Sequence, residues 1–484
     1  LEDSLSVIEE EYEPTKMSAV VMHAKTGEVL AMSNRPSYDP NNFGDVENWF
    51  NDVISNPVEQ GSTFKIFTLA AAVNEGVWRG DEYFKSGSYK AGPRIKPISD
   101  HNGGRGWGSI TYLEGFQRSS NVAVAKLAYE KLGSDKFLEY LQAFDLDKET
   151  GIDLPGEVPG RILFDNPIEQ ITTSFGQGTI TTPIQIVKGS SAIANGGEMV
   201  KPYLIKKIVD SETGEVIEEK SREVVGQPIT KESADQVLDI MESVITSEAG
   251  TGKVFGLNDY TVAGKTATAQ IPNPETGGYK TGWGNYIYSF IGMAPAEDPQ
   301  LIMYISVQQP DLDEETYEPG NVTTSFIFKN VMENSLKYLN IEPDKEEVKV
   351  ENLKPVPDWE DKSTNNVVEA FQEMNINPIV IGDGERVVDV NVKPGEKITT
   401  AQKVLIVTNE PTMPNIIGWS LKDLLTLKDL IELDIEWIGS GFIHKQSIEP
   451  GTSIQNGSYL MAELQEPTND TKKVNKDELE EQTE

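Results

Sequence analysis

From Ser18 the chain runs SAVVMHAKTGEVLAMS, two apolar stretches around Lys25-Thr26-Gly27. That spacing predicts a β-hairpin with a glycine-containing turn. Residues 62–75 (STFKIFTLAAAVNE) predict a buried helix. Thr111-Tyr112-Leu113-Glu114 has the spacing of a capping box and opens a short helix. A second helix is expected from Asn121 to about Lys131, and KESADQVLDIMESVITS (231–247) carries helical periodicity. Three strand-like runs follow, TVAGKTATAQI, YSFIGMAPA and LIMYISVQQ, and then a closing helix, TTSFIFKNVMENSLKYL. Helices and antiparallel-looking strands mix without regular βαβ alternation, so the expected class is α+β.

Residues 1–16 are acidic at their start and are expected to be the tail of an upstream region. Residues 341–354 are charged and contain proline, which suits a linker. Beyond them lies an internal repeat. Ile381-Gly382-x-Gly384 recurs as Ile438-Gly439-x-Gly441, Pro357 as Pro414, and Pro394-Gly395 as Pro450-Gly451. The two units, 355–408 and 412–465, each read as helix, strand, turn and further strands. Residues 466–484 are polar and acidic with little apolar content, so disorder is expected there.

Composition narrows the chemistry. The chain of 484 residues carries 42 Lys and Arg against 78 Asp and Glu, a formal charge of −36. Such an excess argues against nucleic acid as a partner, because phosphate binding needs clustered cations. There is no cysteine, which excludes disulfides, zinc–thiolate sites and iron–sulfur clusters. The three histidines, His23, His101 and His444, are far apart and show no HExxH spacing. His101, in SDHNGGRGWG, reads as a loop residue. No metal or organic cofactor is expected. No run of about 18 apolar residues is present. The chain begins at Leu1 without a start methionine and is expected to be a fragment whose upstream part is missing.

Ser62-Thr63-Phe64-Lys65 is the single S-x-x-K of the chain. On a helix, i and i+3 share a face, so Lys65 can reach the Ser62 hydroxyl. Serine is a poor nucleophile without a base, and a free lysine is protonated at neutral pH. Burial among Ile66, Phe67 and Leu69, with a second cation nearby, would lower its pKa. Ser119-Ser120-Asn121 falls between two predicted helices, where a hydroxyl and an amide could relay a proton and hold a lysine. Three K-T-small triplets exist, at Lys25, Lys265 and Lys280. The first sits in a hairpin turn and the last in the Gly-rich ETGGYKTGWGN. Only Lys265 lies in a strand-like run, with Ala267 on its face and Thr266 and Thr268 on the other.

S-x-x-K, S-x-N and K-T-[G/A] in that order are the motif set of penicillin-binding proteins and class A β-lactamases. With EQGSTFKIFT, RSSNVAVAKLA, SFGQGTITTPIQ, VAGKTATAQ and YSFIGMAPA, the chain resembles the class B penicillin-binding proteins. The resemblance covers residues 17–340, and the tandem units resemble PASTA repeats, a pairing similar to division-type enzymes of Gram-positive bacteria. It implies an antiparallel sheet flanked by helices, a helical subdomain and two small α+β domains. It also implies a peptidoglycan D,D-transpeptidase in which Ser62 attacks the D-Ala-D-Ala bond of a stem peptide and Lys65 takes the proton. Ser119 passes a proton on, Asn121 holds Lys65, and Lys265 lowers its pKa. Thr266, Ala267 and Thr268 bind substrate, and the backbone N–H groups of Ser62 and Thr268 form the oxyanion hole.

By the same resemblance, β-lactams acylate Ser62, and the partners are stem peptides and division proteins including a glycosyltransferase. The place is the outer face of the membrane at the septum, held by an N-terminal anchor. Ala267 replaces the usual glycine of the third motif. In the first repeat Asp361 stands where the second has Gly418, and Gln446 lacks a counterpart, so the first repeat is the more degenerate. A β-lactamase or β-lactam sensor would need an added base to activate water; the nearby Glu59 and Glu169 sit inside transpeptidase-like stretches and offer no dedicated candidate. A carboxypeptidase would differ only in the acceptor, and a wall-binding scaffold would lack catalysis.

Overall fold

The computed structural model describes all residues except 39–40, 42–45, 47, 315, 346–353, 361, 375, 399–402, 440–441 and 466–484. The chain divides into two compact units, Leu1–Lys345 and Glu346–Glu484. In the first, strands β1 (Lys16–His23) and β2 (Val29–Arg35) form the expected antiparallel hairpin. Gly27 turns it at φ +85°, where a Cβ would collide with the Lys201 carbonyl oxygen. Strands β3 (Ala263–Gln270), β4 (Tyr286–Ala294) and β5 (Leu301–Gln308) complete a five-stranded antiparallel sheet in the order β3-β4-β5-β1-β2. β3 is therefore an edge.

The helices around this sheet are α1 (Glu2–Tyr12), α2 (Lys65–Asn74), α3 (Tyr112–Gln117), α4 (Asn121–Lys126), α5 (Pro183–Ala194), α6 (Lys231–Thr246) and α7 (Asn321–Tyr338). Successive strand residues point to opposite faces. Val20, Met22, Ile291, Met293 and Ile302 share a core with α2, α5 and α6. Ala19, Val21, Phe290, Met303 and Ile305 share another with α1 and α7. Both faces are covered, which is why these strands read as continuous apolar runs rather than alternating ones. Phe290 stacks on Phe255 at 3.7 Å and meets Phe328 edge-on at 4.7 Å, and the edge-on geometry is worth about 0.5–1.5 kcal/mol beyond buried area. α5 is buried along its whole length, and its Lys188 is paired with Asp145 at 3.0 Å.

Two sequence boundaries move. The first residues are not a trailing tail. α1 buries Leu5 and Ile8 in the core, and the buried Arg35 guanidinium binds Glu2 and Glu9, each at 2.8 Å. At the other end, Ile341–Lys345 belong to the first unit rather than to a linker. The Ile341 carbonyl accepts from Tyr260 Oη at 2.9 Å, Asp344 accepts from the Thr261 N–H at 2.7 Å, and Lys345 Nζ donates to the Leu257 carbonyl. The remaining linker residues up to 353, and the tail 466–484, lie outside the described residues.

The second unit contains the repeat. Helix α8 (Thr364–Glu373) is followed by β6 (Ile379–Ile381), β7 (Val387–Val390) and β8 (Leu405–Thr408), with β8 parallel to β6 and antiparallel to β7. Helix α9 (Leu421–Ile431), β9 (Asp434–Ile438), β10 (Phe442–Gln446) and β11 (Tyr459–Gln465) repeat that topology. Gln446 shows why the second repeat spends a polar side chain there. It accepts from the Ile416 N–H at 2.9 Å and donates to the Pro414 and Ile448 carbonyls at 3.1 and 2.7 Å. Trp419 is core, Trp359 donates to the Val392 carbonyl from a half-buried position, and Trp437 is exposed.

Candidate active site

Ser62 opens the expected helix within a 3-10 turn, Gly61–Phe64, that runs into α2. In a 3-10 turn, i and i+3 eclipse, so Ser62 and Lys65 are aligned more closely than α-helical spacing requires. Several contacts fix this turn. Gln60 is buried, donating to the Thr181 carbonyl and accepting from Tyr304 Oη, both at 2.5 Å. Gly61, at φ +57°, donates to the Gly176 carbonyl at 3.2 Å, and a Cβ on Gly61 would lie 3.0 Å from Ala269 Cβ. Ser62 itself is half-buried and faces a cleft of about 570 Å³.

Lys65 is fully buried. Its Nζ contacts the Ser119 carbonyl at 2.6 Å, Asn121 Oδ1 at 2.8 Å and Ser119 Oγ at 3.2 Å. Lys265, also fully buried, reaches the same Ser119 Oγ at 2.9 Å and the Thr266 carbonyl at 3.1 Å. One hydroxyl thus joins two lysines that arrive from α2 and β3. Ser119 does this from a left-handed backbone, φ +58°, uncommon for a residue with a Cβ. Ser120 caps α4 through its Oγ, which accepts from the Ala123 N–H at 3.1 Å.

Burial disfavours both ammonium charges. It pushes Lys65 well below the usual lysine range, helped by the Lys265 charge and opposed by Asp100. Burial also brings Lys265 down to about 7. A protonated Lys65 would spend all its N–H donors on its three acceptors; a neutral one keeps a lone pair for a proton.

β3 alternates as expected. Lys265, Ala267 and Ala269 are buried, whereas Thr266 is half-buried and Thr268 exposed. Thr266, Ala267, Thr268, Ala269 and Gln270 line the cleft along the free sheet edge, and Thr266 Oγ1 bonds Thr251 Oγ1 at 2.8 Å. The cleft therefore holds a half-buried serine, a hydroxyl that bridges two buried lysines of lowered pKa beneath it, and a strand edge that could receive an extended peptide.

Residues 17–333 match the family described as penicillin binding protein transpeptidase domain. The chain belongs to this family. Residues 354–410 match the PASTA domain, so that match falls on the repeat with the more degenerate sequence. The penicillin-binding protein is 34% identical over 477 residues to Stage V sporulation protein D of Bacillus subtilis, covering 96% of this chain and 63% of that protein. It is 32% identical over 340 residues to the peptidoglycan D,D-transpeptidase FtsI of Escherichia coli, covering 68% of this chain and 52% of that protein. The chain thus spans about half to just under two thirds of the length of these curated relatives. Among solved structures, penicillin-binding protein 2X of Streptococcus thermophilus superposes with a TM-score of 0.64 at 28% identity, over 96% of this chain and 70% of that one. Penicillin-binding protein 3 of Mycobacterium tuberculosis, complexed with aztreonam, does so with 0.63 at 29% identity, over 71% and 77%.

Within this penicillin-binding protein the site residues named from sequence all gather at one cleft. Ser62, Ser119, Asn121, Thr266, Ala267 and Thr268 line it, and Lys65 and Lys265 lie beneath. Lys280 does not line it, and its Nζ bonds Gln309 Oε1 at 3.0 Å. Neither Glu59 nor Glu169 lines it. Glu169 accepts from the Asp165 and Asn166 N–H groups in a helix cap, and Glu59 accepts from Tyr279 Oη at 3.2 Å. Sequence reasoning missed Asp100, and it left His101 as a plain loop residue. His101 in fact lines the cleft beside Ser119. It also missed Gln177, which bonds Gln270 at 3.1 Å on the cleft wall. A lone carboxylate or amide in a loop has no periodicity to betray it.

Proposed function

We propose that this chain is a peptidoglycan D,D-transpeptidase that works through a Ser62 acyl-enzyme, acts at the septum on the outer face of the membrane and is acylated by β-lactams. The observation that carries the reading is the Ser119 hydroxyl held between Lys65 and Lys265 at the foot of the Ser62 cleft.

Ser62 Oγ attacks the carbonyl carbon of the D-Ala-D-Ala bond, and its proton passes to neutral Lys65. The Ser62 N–H, which has no intrahelical partner at a helix start, and the Thr268 N–H on the edge strand receive the oxyanion. Collapse breaks the C–N bond. The departing D-alanine nitrogen takes the proton that returns from Lys65 through Ser119, leaving an ester on Ser62. The amine of a second stem peptide attacks that ester, the Ser62 Oγ–C bond breaks, and the amine's proton returns to Oγ by the same relay. Asn121 holds Lys65, and Thr266 and Thr268 beside Lys265 receive the substrate carboxylate. A glycosyltransferase and other division proteins are the proposed partners.

Labelled penicillin tests the reading. The wild-type chain should take up one equivalent with slow release, and the label should map to Ser62. A folded Ser62→Ala variant that still labels stoichiometrically would refute the nucleophile, and rapid turnover by the wild type would indicate a β-lactamase.

A further inference from the structure

Three consecutive residues, Ser99 at a strand end and the two that follow it, hold the turn that carries Ser119. The Ser99 carbonyl accepts from Asn121 Nδ2 at 3.1 Å. Asp100 Oδ1 accepts from Ser120 Oγ at 2.7 Å and from the Val122 N–H at 3.1 Å. His101 Nε2 lies 3.0 Å from the Arg118 carbonyl, which fixes it as the N–H donor. The loop is itself anchored, since Asp100 Oδ2 accepts from the Gly87 N–H at 2.7 Å and the Asp100 N–H donates to the Gly87 carbonyl at 3.0 Å. Trp107 sits against the His101 ring at 5.4 Å, with the Arg118 guanidinium 5.5 Å away over its face.

These contacts reach residues 118, 120, 121 and 122 and skip 119. Ser119 is the residue in the unfavourable left-handed conformation. Such a conformation persists only where its surroundings over-determine it. Asp100 is buried, and a buried carboxylate needs its charge answered. Its charge also acts on Lys65.

We propose that Ser99, Asp100 and His101 form a positioning clamp that holds Ser119 in its two-lysine bridge, with Asp100 as the central member and a negative charge that acts on Lys65. The proposal rests on the acyl-transfer reading above and adds to it Asp100, which does not line the cleft, with Ser99 and His101, which do. The charged groups around Lys65 are Lys265 on β3 and Asp100 on the loop, and His101 is the titratable neighbour beside them. Asp100 supports the protonated form of Lys65, whereas burial and Lys265 oppose it.

The test is the second-order acylation rate by a soluble β-lactam from pH 5 to 10 for the wild type and Asp100→Asn. Asparagine keeps the Oδ1 contacts but turns an N–H₂ towards the Gly87 N–H. The rate at the optimum should fall roughly ten-fold or more, as one lost charge-assisted hydrogen bond does. The acidic limb should move to lower pH, because Lys65 loses a charge that favours its protonation. An unchanged rate and limb would overturn the proposal, and so would a slower rate with the limb in place. Should Asp100→Asn fail to fold, Ser120→Ala removes the Asp100 partner and leaves the carboxylate. Slower acylation with the wild-type limb is then expected, and a wild-type rate would overturn the clamp. If the wild type itself does not label at Ser62, it is the underlying reading that fails.

Discussion

Ser119 Oγ lies 3.2 Å from Lys65 Nζ and 2.9 Å from Lys265 Nζ, so one hydroxyl links two buried amines that are far apart in the chain. Neither lysine has a carboxylate within ion-pair distance among the described residues. Burial disfavours their charge and no salt bridge answers it, which is what the proposed base requires.

The two triplets that begin with Lys265 and Lys280 should separate cleanly. Lys265→Ala should slow β-lactam acylation by about 10²–10³-fold, the loss typical of one electrostatic group in an active site. Lys280→Ala should stay within about two-fold, as surface changes generally do. Stopped-flow acylation of both variants decides it, and the reverse order would move the third motif to residue 280.

Stability should carry the mark of the buried lysine. Lys265 is lowered from its ordinary value to about 7. Between pH 7 and its unfolded value the unfolded chain binds the proton and the folded chain does not. Wild-type stability therefore rises with pH across that window, and the full penalty is present below it. Lys265→Met lacks this term. Denaturant titrations at pH 6 and pH 9.5 should show the wild type gaining on the variant by on the order of a few kcal/mol as pH rises. A constant difference would mean that the folded Lys265 stays protonated across the whole window.

Ala267 should accept glycine. Its Cβ is buried on the face of β3 turned toward Gly61, 3.6 Å from where a Gly61 side chain would begin. Ala267→Gly removes one methyl and adds backbone freedom, a cost of roughly 0.5–1 kcal/mol in a strand. Acylation should remain within a few-fold and the melting temperature should drop slightly. A large loss of acylation would mean that the methyl itself shapes the cleft.

Truncation should be sensitive to where the cut falls. A chain ending at Lys345 keeps the contacts of Ile341, Asp344 and Lys345 to Leu257, Tyr260 and Thr261. It should acylate at the full-length rate, because every cleft residue precedes it. A chain ending at Asn340 loses those contacts and should melt lower, by roughly 2–4 °C for each kcal/mol lost. A fall in acylation rate in the well-folded longer truncation would give the repeats a part in the site.

The sequence alone determined the elements and the chemical groups. Period and capping marked the hairpin, the helix behind Ser62 and the helix 231–246, because one-dimensional periodicity is a local property of the chain. The three motifs named the residues that gather at the cleft, side-chain types that acyl transfer would need. Strand alternation also separated Lys265 and Ala267 from Thr266 and Thr268. Tertiary structure decided the rest. The left-handed Ser119, the meeting of both lysines on one oxygen, and the burial that lowers their pKa values depend on segments brought together across the chain. Asp100 and His101 had no local signal, because a clamp is defined by the distances it closes. The same is true of α1 and of Ile341–Lys345, which look like solvated ends in sequence. They become part of the first unit only where Arg35 and Thr261 offer them partners.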